Sequence, residues 1–149
     1  MKNRTGFTFI EILIVLVIAG LLYAMAARLV RGASVAGSRR AATRDVTSYL
    51  FRARAIAVQQ SRRAWVVRAG NTLTIIVDSA GTKVQIGTTI DLNVRHGATL
   101  SATPKDSIEF DPRGFVVLPG STPKIIVTRS SAADTLCVTG LGRITVRGC

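Results

Sequence analysis

The sequence predicts an α+β protein: one long N-terminal helix whose first half crosses a membrane and whose second half packs on an antiparallel β-sheet domain. Three observations carry this. From Ile12 to Ala27 there is no charged residue. With Phe7 to Ile10, that run reaches the roughly 20 residues a membrane-spanning helix needs. An apolar stripe at three- and four-residue spacing then continues to about Gln60. Beyond Arg63 the period shortens to that of strands. A chain of 149 residues has room for one such domain with a modest core.

The first element is a short basic leader, MKNRTG, residues 1–6. A secretory signal peptide places small residues after its apolar stretch. Here Gly6 stands before it, so a cut after Gly6 would leave the helix in the mature protein. An uncleaved signal anchor has the same composition. Glu11 sits at the edge of the apolar run, where an ionised carboxylate is costly and needs a partner. Snorkelling to the membrane interface is its simpler fate.

The second element is the helix, residues 7–63, with 7–27 spanning the membrane and 28–63 amphipathic. From Phe7 to Gln60 it would measure about 80 Å at 1.5 Å per residue. Val46, Tyr49, Leu50, Ala53, Ile56, Ala57 and Gln60 form its stripe, with Arg44, Arg52, Arg54, Arg62 and Arg63 mainly off it. Gly32 and Gly37 weaken the middle and give it places to bend or melt. No proline precedes Pro104, so nothing forces a kink.

The third element is the β-rich domain, residues 64–149. WVVRA, TLTIIVD, KVQI, TIDLNV, SIEF, FVVL, PKIIVT, TLCVT and RITVR are short and β-branched. Gly70-Asn71 is a hairpin turn between the first two. Asp111-Pro112-Arg113-Gly114 fits a type I turn, with proline second and glycine fourth.

Twenty Lys and Arg against eight Asp and Glu give a net charge of +12, which favours nucleic acid, anionic lipid or an acidic protein surface without choosing among them. The eight acids are scattered, with neither a phosphate loop nor a Ser/His/Asp order, so the expectation is a protein that is not an enzyme, has no cofactor and takes no small-molecule substrate. Asp106, Glu109 and Asp111 would offer calcium its oxygen ligands if one loop gathered them. They lack EF-type spacing and read more simply as turn and edge-strand charges, so no metal is expected. The only histidine, His96, is far in sequence from Cys137 and Cys149, which argues against zinc and against a Cys–His nucleophile.

Gly6-Phe7-Thr8-Phe9-Ile10-Glu11 followed by ILIVLVIAGLL resembles the signal of type IV prepilins and type II secretion pseudopilins. The resemblance implies a pilin-like fold, cleavage by a prepilin peptidase between Gly6 and Phe7, and N-methylation of Phe7. It also implies that Glu11 pairs with the N-terminal amine of a neighbouring subunit in a filament. ARAIAVQQSRRAWVV, FDPRGFV and LGRITVRG further resemble the minor pseudopilin H and fimbrial T branch. The expected function is therefore a minor pilin or pseudopilin, a structural subunit of a type II secretion pseudopilus or type IV pilus that aids filament initiation, tip assembly and protein secretion. Its expected partners are other pilins, the peptidase and the bacterial inner membrane. Charge counting disagrees with the family on orientation. Arg28, Arg31, Arg39, Arg40 and Arg44 follow the span, against Lys2 and Arg4 before it, which by charge alone holds the domain in the cytoplasm. The family places it in the periplasm.

The alternative function is DNA binding for natural transformation. Fimbrial T proteins bind DNA through a C-terminal Gly-Arg-x-Arg element. Gly142-Arg143 matches its start, but Thr145 holds the second arginine position and Arg147 follows two residues later. In an extended strand Arg143 and Arg147 share a face about 13 Å apart. Their plainer reading is a solvated polar face.

In an oxidising compartment Cys137 and Cys149 are expected to form a disulfide. If Gly140-Leu141-Gly142 turns a hairpin, Cys137 faces Thr145 and Cys149 lies about 13 Å too far along. A disulfide tolerates at most about 7 Å between Cα atoms. Either the tail leaves the ladder after Val146 and Gly148 folds it back, or the register differs.

Overall fold

A computed structural model describes residues 8–118 and 120–148, with the side chains of residues 27–31 left out. The chain divides into two units, residues 1–36 and 37–149.

Helix α1 is unbroken from Phe9–Gln60, through both Gly32 and Gly37. In the first unit, the 18-residue window Phe9–Ala26 has a mean hydropathy of 2.6 and none of it is buried within the chain. It is long and apolar enough to cross a membrane. In the second unit, Ala42, Val46, Tyr49, Leu50, Ala53 and Ala57 are buried, so the predicted stripe is the packed face. It starts a turn earlier than expected, while Ile56 is only partly buried and Gln60 is exposed.

The helix stops three residues before the expected boundary, and backbone geometry says why. Ser61 takes a left-handed φ of 52°. Its N–H donates to Val58 O at 3.3 Å, and Arg62 N–H donates to Ala57 O at 3.1 Å. This is a Schellman termination, with serine where glycine is usual.

The described residues then form two four-stranded antiparallel sheets. Strands β1 (Ala64–Ala69), β2 (Thr72–Ser79), β3 (Thr82–Asp91) and β5 (Ser107–Phe110) build one, in the order β3-β2-β1-β5. Strands β4 (Thr99–Thr103), β6 (Lys124–Arg129), β7 (Ala132–Val138) and β8 (Ile144–Val146) build the other, in the order β4-β6-β7-β8. Alternation along β2 buries Leu73, Ile75 and Val77, and along β6 it buries Ile125 and Val127. These join the helix stripe in one core centred on Leu50, Phe110 and Leu136.

Three readings need correction. TIDLNV is not one strand: its second half is a short helix, α2 (Leu92–His96). Asp91 caps it by accepting from Asn93 N and Val94 N, and Gly97 ends it at a left-handed φ of 61°. FVVL is not a strand either, because it makes only an isolated bridge, Phe110 to Val116. TLSAT, which carries little apolar signal, is strand β4. The Gly70-Asn71 connection is as predicted, with Ala69 opposite Thr72 and Gly70 at φ 60°.

Candidate functional site

Gly6 and Phe7 lie outside the described residues. Thr8 starts α1: its carbonyl accepts from Ile12 N at 3.3 Å and its hydroxyl from Glu11 N at 3.3 Å. Thr8-x-x-Glu11 is thus a capping-box spacing, and Glu11 also sits where a carboxylate is favoured by the helix dipole. Sequence reasoning gave Glu11 a partner in another subunit and missed this role within its own first turn.

The domain has a junction that sequence reasoning passed over. Arg54 donates from Nε to Gly114 O at 3.0 Å, from Nη1 to Gly142 O at 3.2 Å and from Nη2 to Leu141 O at 3.3 Å. One guanidinium on α1 therefore ties the Asp111–Gly114 turn to the turn of the last hairpin. Val116 N–H reinforces this by donating to Gly140 O at 2.9 Å. The three stretches that resembled the fimbrial T branch meet at this point. Gly142 is required here: at φ 75°, an added Cβ would lie 2.4 Å from Gly114 O. The Asp111 turn is built as predicted, with Gly114 N–H donating to Asp111 O at 2.9 Å. The little burial it has raises the Asp111 pKa. Backbone N–H bonds from Phe115 and Arg113 and the Arg113 side chain outweigh this and hold the pKa below the ordinary value.

A second junction centres on Asp134, a buried carboxylate in β7 that is 2% exposed. Arg147 Nε donates to Oδ1 at 2.8 Å, and Thr43 Oγ1 lies 3.4 Å from Oδ2. Arg39 Nε is 3.3 Å from Oδ2 but is not aligned for a hydrogen bond, so it contributes charge alone. Burial pushes the Asp134 pKa up; the Arg147 bond, the two guanidinium charges and Thr43 together bring it below normal. A single acid 91 residues from Thr43 leaves no local signal in the sequence.

The last hairpin has the predicted register, with Cys137 opposite Thr145. The ladder ends at Val146, and Arg147 leaves it at a left-handed φ of 62°. Arg143 and Arg147 are consequently not two equivalent teeth of one strand face. Arg143 is exposed beside the turn, while Arg147 bends to Asp134 and stays 59% exposed. Cys137 is buried, at 1% exposure. Cys149 lies outside the described residues.

The three acids considered for calcium each face an arginine. Asp106 pairs with Arg68, Glu109 with Arg63 at 3.4 Å and Asp111 with Arg113 at 3.2 Å. Among the described residues, no group of three or more His, Cys, Asp or Glu is placed to hold a metal. His96 Nε2 lies 2.8 Å from Asp45 Oδ2, which links α2 to α1.

This architecture, a long N-terminal helix with antiparallel sheets, is a pilin-like fold. Residues 1–27 match the prokaryotic N-terminal methylation motif. The type IV minor pilin FimU of Pseudomonas aeruginosa, solved in two crystal forms, is similar in fold at 19% sequence identity. The TM-scores are 0.59 and 0.58, over 73% of this chain and 87% and 92% of those chains. No curated protein matches the sequence.

Proposed function

We propose that the chain is a minor pilin or pseudopilin, a structural subunit that helps to initiate or cap a type IV pilus or a type II secretion pseudopilus. One observation carries this reading: the methylation motif, matched over residues 1–27, contains the 18-residue apolar window, in a chain whose fold is similar to that of a minor pilin. In this reading a prepilin peptidase cuts between Gly6 and Phe7 and methylates Phe7. Glu11 pairs with the Phe7 amine of a neighbouring subunit. The helix holds the protein in the inner membrane, residues 64–149 face the periplasm, and a Cys137–Cys149 bridge secures the tail. Intact mass from cells with a prepilin peptidase tests the reading. Loss of residues 1–6 with one added methyl is expected, and a chain retaining Met1 to Gly6 would sink it.

The second reading is DNA binding, favoured by the exposure of Arg143 beside the hairpin turn in a chain of net charge +12. Replacing Arg143 and Arg147 with alanine should weaken binding to all DNA sequences and lower the salt slope by about two. An unchanged slope assigns any binding to another surface.

A further inference from the structure

We propose that Arg40, Arg44 and Arg147 form a binding site for phosphate-type oxyanions. They line an open recess of about 380 Å³ together with Thr43, Asp134 and Val146. Arg40 and Arg44 stand four residues apart on α1, and so one turn apart on one face. Both are exposed, and among the described residues neither side chain has a hydrogen-bond or ion-pair partner. Like charges at this spacing weaken a helix. An incoming anion would reverse that cost.

Arg147 reaches the recess because the ladder stops at Val146 and the backbone turns at φ 62°. Asp134 holds it by Nε, and the side chain stays largely exposed, so the terminal amino groups remain open to a further acceptor. Asp134 itself is already engaged by Arg39, Arg147 and Thr43. Two arginines thus hold one carboxylate, and two more line the recess beside it, so positive charge is in excess there. Guanidinium forks match phosphate oxygens in pairs. A tetrahedral dianion with several acceptor oxygens suits three arginines lining one recess better than a single carboxylate would.

A second copy of this chain is a poor source for that anion. Its acids beyond α1's first turn are all committed: Asp45 to Arg95 and His96, Asp78 and Asp91 to backbone N–H groups, and Asp106, Glu109, Asp111 and Asp134 to arginines. The ligand comes from outside: a small phosphate or a phosphodiester strand. The site shares Arg147 with the DNA reading but rests on the helix pair, and Arg143 is not part of it.

The test uses the full chain in nonionic detergent at low salt, titrated calorimetrically with sodium phosphate and, separately, with a short duplex DNA. Arg40→Ala/Arg44→Ala is expected to weaken binding at least tenfold without lowering the thermal midpoint, which relief of the like-charge pair would leave equal or slightly raised. Arg143→Ala should leave phosphate binding intact. If the duplex binds no more tightly than phosphate, the site is occupied by a small anion. If it binds far more tightly, and the double variant lowers the salt slope by about two, the ligand is a phosphodiester strand. Failure of both probes to bind, or equal binding by parent and double variant, overturns the proposal.

Discussion

Arg54 and Gly142 are bonded across 88 residues of sequence, from guanidinium Nη1 to carbonyl oxygen at 3.2 Å. The contact depends on the absence of a side chain at Gly142, where a Cβ would also meet Arg54 Nε at 2.9 Å. Gly142→Ala should therefore destabilise the domain by about 2–3 kcal/mol, through backbone strain and overpacking together. Denaturant unfolding of the full chain measures this. A change within about 0.5 kcal/mol would show that the two turns part without loss.

Asp134 gives the fold an acid-sensitive point. Its pKa is depressed on folding, so its contribution is fully present above the ordinary carboxylate range, near 4, and is lost as pH falls through the folded value. Asp134→Asn should cost about 2–3 kcal/mol at pH 7, since Arg39 and Arg147 lose their counter-charge. The same variant should lose less stability than the parent between pH 5 and pH 3. Parallel pH profiles for the two proteins would contradict the assignment.

Glu11→Ala should still be inserted and cut after Gly6, yet enter filaments poorly. The unpaired Phe7 amine of a neighbour would then lie in an apolar setting. Counting the variant in sheared filaments decides this. Normal incorporation would leave Glu11 only its place in the helix's first turn.

The proposed Cys137–Cys149 bridge would close a short loop and should stabilise the fold by about 2–3 kcal/mol, chiefly through the unfolded state. Thiol labelling under denaturing, non-reducing conditions should find neither cysteine reactive. Two reactive thiols would refute the bridge, and a linked dimer would place the bond between subunits.

Periodic features were legible in the sequence because they are local. The apolar window and the Val46–Ala57 stripe follow from spacing alone, as does the register that sets Cys137 opposite Thr145. What escaped was capping and distance. Asp91 and Gly97 bracket a five-residue helix that β-branched neighbours disguised as strand. Strand β4 buries only Leu100, so it offers no alternating run to read. Arg54 read only as a charge off the apolar stripe because its partners are 60 and 88 residues away. Arg147 looked like part of a strand face because nothing local announces a left-handed turn at an arginine.

The Arg54 junction also bears on the order in which the domain forms. Loops of 60 and 88 residues close slowly, since their entropy is lost before the contact rewards it. A chain is made from its N-terminus. Arg54 therefore waits for Leu141 and Gly142, made 87 and 88 residues after it, before its final carbonyl partners exist. The helix can dock earlier through its apolar face, but its guanidinium latch is set only after the turn of the last hairpin has been made. A chain truncated before Gly140 would retain most of the core residues and still lack that final fastening.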